Sequence, residues 1–221
     1  MTAFHLYLDS ADLTELRICL PHPVVHGVTT NPTLLKRAGV TRAALPRLLE
    51  ELIALGAKQV QAQVQSADVQ EMLADAEDLV ARFDAGRLVV KIPATRAGFV
   101  AGAQLTERGI PVTYTAVYAA EQAHFAAHLG ASYAAPYLGR LLDAGIDGMA
   151  LIAQMQALIV RSGAATRLLV ASVRSREACL ALLDLGVGAI TIPPSLFAKL
   201  LDHELTLQAE RAFLADAKGL V

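Results

Sequence analysis

Charge and sulfur are both scarce in this chain. Of its 221 residues 18% are charged and 54% hydrophobic, with a formal net charge of −2. No basic cluster relieves that balance, which argues against a nucleic-acid-binding surface. The two cysteines, Cys19 and Cys179, each fall in an apolar helical stretch with no CxxC spacing. They read as reduced core thiols rather than a disulfide framework or a redox pair. No apolar run reaches the ~18 residues of a membrane span. The richest stretch, MALIAQMQALIV (149–160), is broken by Gln154 and Gln156 and reads as a buried helix. The N-terminus, MTAFHLYLDS, lacks the basic and apolar segments of a signal peptide, so a cytoplasmic location is expected. A GxxxxGK[ST] loop is missing, and the GVG at 186–188 precedes a strand-like run rather than following one. Nucleotide-loop chemistry is therefore excluded. With no linker, low-complexity tract or shift in composition, one domain over residues 1–221 is expected.

What the chain does have is regular alternation. Short strand-like runs occur at HLYLD (5–9), VHGVTT (25–30), QVQAQV (59–64), LVVKIP (88–93), PVTYTAV (111–117), SYAAPYL (132–138), RLLVAS (167–172) and AITIPP (189–194). Helical spacing separates them. Leu45, Leu48, Leu49, Leu52 and Ile53 recur at one face of a helix, as do Met72, Ala76, Leu79, Val80 and Phe83. Pro46 lies within the first pattern and blurs where that helix begins. This strand–helix alternation predicts an α/β fold, a single (β/α)8 TIM barrel. The tail, residues 203–221, is one helix more than eight units need. Its apolar positions Leu205, Leu207, Phe213 and Leu214 imply docking, on its own barrel or on a neighbouring subunit.

The run LVVKIP poses the functional question. In a strand, Val89 and Lys91 share one face, while Val90 and Ile92 share the other. If both faces are covered, an ammonium group is being buried. The polar residues that end the other strands sharpen this point: Asp9, Thr29 with Asn31 just beyond, Gln63, Thr115, Tyr137 and Ser172. The third strand also places Gln61 and Gln63 on one face, opposite Val60, Ala62 and Val64, which implies polar partners inside. Barrel active sites are built at the C-terminal ends of the strands. Any one of these residues could be an ordinary strand end, and Lys91 could be a structural ion-pair partner of Asp9. Agreement at one edge across nearly every strand favours a site.

A lysine inside a barrel suits attack on a ketone or aldehyde to form a Schiff base. An ordinary lysine is far under ~1% neutral amine at pH 7, and desolvation can lower its pKa by up to ~3–5 units. Asp9 would oppose that if too close, so it is expected to act through a hydroxyl or water. Arg140, Ser172 and Arg174 follow the sixth and seventh strands and form a candidate cradle for one phosphate. The alternative is a pair of solvated surface arginines. His124 and His128 have zinc-like spacing without an evident third ligand, and His5 fits the lower barrel layer.

These residues, in this order, resemble the small transaldolase and fructose 6-phosphate aldolase family of class I aldolases, over nearly the whole chain. The likeness is carried by LYLDSADL (6–13), GVTTNPTLL (27–35), VVKIPAT (89–95), IPVTYTAVY (110–118), APYLGR (135–140), LVASVRS (169–175) and AITIPPSL (189–196). It implies a class I aldol mechanism with no metal or cofactor and a small sugar phosphate as substrate, with no role for nucleic acid or membrane. It also implies a homo-oligomer, a pentamer or a decamer of two rings, with the C-terminal helix packed on a neighbour. By motif, Lys91 is the Schiff-base lysine, and Asp9, Thr29, Asn31, Gln63 and Thr115 line the site. Tyr137 handles protons through a water held by Gln63 and Thr115, and Arg140, Ser172 and Arg174 bind the phosphate. Within the family, transaldolases carry glutamate in the third strand and phenylalanine in the APY position. Gln63 and Tyr137 resemble the aldolases instead, which implies cleavage of fructose 6-phosphate to dihydroxyacetone and glyceraldehyde 3-phosphate. Two departures bear on substrate preference: Gly139 replaces an asparagine of some aldolases, and GFVAGAQL (98–105) lacks a lysine common after the catalytic strand. The alternatives are a pentose phosphate transaldolase, a deoxyribose-phosphate aldolase, which the TTNP segment disfavours, and a non-catalytic sugar-phosphate-binding ring.

Overall fold

A computed structural model describes residues 4–218. The ends of the expected domain and of the expected tail helix, residues 1–3 and 219–221, lie outside the described residues. The first half contains β1 (His5–Asp9), α1 (Leu13–Cys19), β2 (Val25–Thr29), α2 (Pro32–Arg37), α3 (Leu45–Ala54), β3 (Gln59–Gln63), α4 (Val69–Val80), β4 (Leu88–Pro93) and α5 (Arg96–Glu107). The second contains β5 (Val112–Val117), α6 (Ala120–His128), β6 (Tyr133–Pro136), α7 (Leu138–Asp143), α8 (Gly148–Ser162), β7 (Arg167–Val170), α9 (Arg176–Asp184), β8 (Ala189–Ile192), α10 (Pro194–Leu201) and α11 (Glu204–Ala217). The strands pair in parallel in sequence order, and β8 closes on β1. This is a (β/α)8 barrel with an added C-terminal helix.

The parity of the strands accounts for the two cores. Leu8, Val28, Val60, Val90 and Ile92 face outward into a continuous apolar layer shared with the helices. Tyr7, Val89, Tyr133, Ala135, Leu169 and Ala189 face inward as a separate cluster. Lys91 follows Val89 on the inward face and is in register with Gln63 on β3 and Thr113 on β5. Helix starts are fixed locally. Asp12, Asn31, Asp68, Thr95, Asp147 and Ser175 each accept a hydrogen bond from a first-turn N–H. Pro46 sits in the first turn of α3, where its missing N–H has no partner to lose.

Several expected strands are shorter than their apolar runs. β6 stops at Pro136 because Tyr137 already caps α7, keeping only a single bridge to Ala171. β7 stops at Val170, and Ser172 then takes a left-handed backbone with φ 58°. The helix expected to be buried, α8, covers only one stripe, Ile152, Met155 and Ile159, and leaves Val160 66% exposed. Of the two cysteines, both free, Cys179 is buried and Cys19 only partly so.

At the N-terminal end of the barrel the interior is a hydrogen-bonded polar plug. His5 Nδ1 lies 2.7 Å from the Tyr133 hydroxyl, which lies 2.7 Å from the Tyr7 hydroxyl. His26 stacks on His5 at 3.6 Å, and burial holds its pKa down to about 4, so it is neutral at pH 7. α11 packs differently from every other helix: none of its residues is buried, and Leu205, Phe213 and Leu214 are open to solvent.

Candidate active site

The strand ends and the loops that follow them build the open end of the barrel, and the most constrained residue there is Lys91. Only 3% of it is exposed. Its Nζ donates to the Thr30 carbonyl oxygen at 2.9 Å. No salt bridge among the described residues includes it. Burial pushes its pKa below the ordinary lysine value, and the Asp9 carboxylate partly opposes that. Burial also raises the Asp9 carboxyl, against the pull of Lys91 and of the Thr29 hydroxyl.

The hydroxyls explain why Asp9 and Lys91 stay apart. Thr29 Oγ1 donates to Asp9 Oδ1 at 2.6 Å and lies 2.6 Å from Thr191 Oγ1. A hydroxyl carries one proton, so giving it to Asp9 makes Thr29 the acceptor from Thr191. The chain Thr191–Thr29–Asp9 fixes the carboxylate from behind. Asn31 caps α2 by accepting from the Leu34 N–H at 3.0 Å, which turns the TTNP segment over the cavity.

Opposite, Tyr137 and Thr115 share a hydrogen bond of 2.7 Å between their hydroxyls. Burial raises the Tyr137 pKa further above an already high phenol value, so it is protonated at neutral pH. The Arg140 guanidinium carbon lies 5.2 Å from the centre of the Tyr137 ring, a cation–π distance. These groups bound a cavity of about 280 Å³ lined by Asp9, Asn31, Lys91, Tyr137, Arg140, Ala171, Ser172 and Arg174, with Thr33, Leu34 and Arg37 on the α2 side.

The structure thus brings seven of the ten expected residues to one cavity: Asp9, Asn31, Lys91, Tyr137, Arg140, Ser172 and Arg174. It gives three others different places. Thr29 is fully buried behind Asp9, and Thr115 is 1% exposed behind Tyr137. Both touch cavity residues rather than the cavity, because their short side chains are capped by the longer ones they bond to. Gln63 has the inward register of Lys91 but lines the adjoining cleft with Pro32, Leu35 and Gln65. Of the expected phosphate groups, Arg174 is held in a two-pronged ion pair with Asp143, at 2.7 Å for each bond. Arg37, Thr33 and Thr191 were not expected. Thr191 was legible in the alternation AITI, which puts it on the face of Ala189. His124 and His128 gain no third partner: no cluster of three metal-ligating side chains occurs among the described residues.

The titration of Lys91 gives a direct check on this arrangement. Burial disfavours its ammonium form, so its amine should react at a pH below the ordinary 10.5. Asp9 stabilises the ammonium, so Asp9→Asn should move the profile lower still. The pH dependence of Lys91 carbamylation by cyanate, followed by peptide mass, reads both shifts. An unchanged profile in Asp9→Asn would mean that the carboxylate is not felt at Nζ.

Comparison with known proteins agrees with this geometry. The family model described as Transaldolase/Fructose-6-phosphate aldolase matches residues 6–220. The chain is 36% identical over 215 residues to a probable transaldolase of Phenylobacterium zucineum, covering 96% of this chain and 95% of the relative. It is 36% identical over 210 residues to one of Methanococcus maripaludis, covering 95% of each chain. A third, from Clostridium tetani, is 31% identical over 214 residues, covering 97% of this chain and 98% of its own length. Open-ended barrel, buried lysine and full-length likeness lead to one conclusion: the chain belongs to the transaldolase/fructose-6-phosphate aldolase family.

Proposed function

We propose that the protein is a Schiff-base aldolase that cleaves fructose 6-phosphate to dihydroxyacetone and glyceraldehyde 3-phosphate, reversibly. The observation that carries this is the state of Lys91, an amine 3% exposed, hydrogen-bonded to a carbonyl and facing a cavity with guanidiniums at its far end. Nζ attacks the C2 ketone, and loss of water gives an iminium. The C3–C4 bond then breaks, its electron pair flowing into the iminium to form an enamine. The C4 hydroxyl loses its proton and leaves as the aldehyde. Protonation of the enamine at C3 and hydrolysis free dihydroxyacetone and the amine. Asp9 and Asn31 hold the hydroxyls of the three-carbon unit. Arg140, Ser172 and Arg174 hold the phosphate.

Tyr137 carries the proton in this scheme. As a neutral phenol hydrogen-bonded to Thr115 it acts as a relay, accepting the C4 hydroxyl proton as its own passes to a water in the cavity, and the same path returns that proton to C3 of the enamine. Such proton transfer contributes about 10²–10⁴ in rate. Tyr137→Phe should therefore retain the borohydride-trappable adduct on Lys91 and lose most cleavage. Unchanged turnover would remove Tyr137 from the chemistry.

A transaldolase is the second reading, and the names of the relatives favour it, each being called a probable transaldolase. It differs at the last step, passing the enamine to erythrose 4-phosphate. Gln63 and Tyr137, in place of the glutamate and phenylalanine of transaldolases, favour the aldolase. Incubation with fructose 6-phosphate, with and without erythrose 4-phosphate, separates them. Free dihydroxyacetone without acceptor is the expected result. Sedoheptulose 7-phosphate formed only with acceptor would make the protein a transaldolase and defeat the argument from those two residues.

The same reading extends to assembly. The chain acts as one domain in the cytoplasm, with α11 seated on a neighbouring copy in a pentameric or decameric ring. The exposed Leu205, Phe213 and Leu214 of α11 support that occupant. Their joint replacement by serine should shift the sedimenting species to smaller assemblies, whereas an unchanged profile would leave α11 out of the interface.

A further inference from the structure

We propose that Asp143 is a positioning residue for phosphate recognition: it fixes the Arg174 guanidinium against Gly139 at the far end of the cavity. The inference rests on the phosphate role given to Arg174 above. Asp143 takes one hydrogen bond from each terminal nitrogen of Arg174, both at 2.7 Å, which leaves the other N–H groups of the fork uncommitted to it. Arg174 at the same time lines the cavity beside Ser172 and Arg140. Both partners are 58% exposed, and an ion pair that open is ordinarily loose.

A second contact limits this pair. Gly139 and Asp143 are four residues apart on α7 and so share a face. A Cβ built on Gly139 would lie 2.5 Å from Arg174 Nε and 2.6 Å from the Ser172 carbonyl oxygen. The guanidinium therefore lies on bare backbone, with Gly139 beneath it and the Asp143 carboxylate stopping its end. An asparagine at 139, as in some aldolases, would take that place and send Arg174 elsewhere. One face of a short helix thus sets both the room for the arginine and its direction.

Asp143 also carries negative charge near an intended anion, which by itself would weaken phosphate binding. The sign of the effect of Asp143→Asn decides between grip and repulsion. If positioning dominates, the Kd for inorganic phosphate, measured calorimetrically on the whole protein, rises about tenfold, the loss of one well-made charged hydrogen bond. Repulsion between exposed charges fades at high salt, so a positioning effect should survive in 0.5 M chloride, where the Debye length is only about 4–5 Å. In aldol addition to dihydroxyacetone, the preference for glyceraldehyde 3-phosphate over glyceraldehyde, as the ratio of kcat/KM, should fall by a similar factor, with the kcat for glyceraldehyde unchanged. Gly139→Ala should do the same without touching a charge. Should its methyl group prevent folding by striking the Ser172 carbonyl, the exposed Asp143→Asn still decides the matter. Unchanged or tighter phosphate binding in Asp143→Asn, equal losses on both aldehydes, or wild-type protein that binds no phosphate would each overturn the proposal. Wild-type protein that binds phosphate but turns over neither aldehyde would instead defeat the proposed reaction, with the phosphate titration still judging Asp143.

Discussion

An amine that must be both buried and free of a counter-ion constrains everything at the open end of this barrel. Burial alone lowers a lysine pKa by up to ~3–5 units. A carboxylate at about 4 Å, in an effective dielectric near 20, returns roughly 4 kcal/mol, or about three units, and would cancel most of that gain. The decisive variable is therefore where Asp9 is held. Thr29 and Thr191 hold it, through a chain of 2.6 Å hydrogen bonds that occupies Oδ1 of the carboxylate. The Thr30 carbonyl gives Nζ a neutral acceptor that accommodates amine and ammonium alike. Both Thr29 and Thr30 belong to the TTNP segment, which thus tunes the lysine from behind while Asn31 faces the cavity.

The two ends of the barrel solve different problems. At the N-terminal end, Tyr7, Tyr133 and His5 satisfy one another, and the pKa of His26 is low enough to keep it uncharged. That layer is a plug whose task is packing. At the C-terminal end the backbone itself is strained: Ala116 and Ser172 take φ of 55° and 58°, which non-glycine residues rarely adopt. They mark the exits of β5 and β7, on either side of Tyr137. Such conformations cost about 1–3 kcal/mol each and persist where the surroundings impose them. The bridge from Tyr137 to Ala171 and the bond from the Gly139 N–H to the Ser172 carbonyl, at 3.0 Å, are part of that imposition.

Much of this was legible in the sequence because strand parity is a strong code. The alternation of Val89 and Lys91 against Val90 and Ile92 sufficed to place an amine inside, and polar residues at the strand ends pointed to a single rim. What parity does not encode is reach. Thr29 and Thr115 have the inward phase but are too short to pass the partners they bond to, and Gln63 turns into the next cleft from an inward register. Thr191 has the inward phase as well, but threonine is ordinary strand material and marks no site by itself. Arg37 carries no strand signal, because it enters the cavity wall from a helix, six positions after Asn31. Apolarity likewise overstates burial in α8 and α11, which leave Val160, Leu205, Phe213 and Leu214 exposed.

The junction at Tyr137 ties the two halves of the site together. Its hydroxyl meets Thr115, its ring lies under Arg140, and its backbone both bridges to Ala171 and starts the six-residue helix α7. That helix then presents Gly139, Arg140 and Asp143 within two turns. A phosphate held by the arginines would therefore be held relative to the phenol and not merely near it. In the proposed reaction the phosphate sits on C6, two carbons beyond the C4 hydroxyl whose proton must move. Binding energy at the phosphate can fix that hydroxyl against the relay only if the connection between them is stiff, since misplacement of about 1 Å can cost some 10²-fold in rate. A short helix begun by the tyrosine and pinned at its end to the neighbouring strand exit provides that stiffness. Remote binding then contributes to the chemical step instead of to affinity alone.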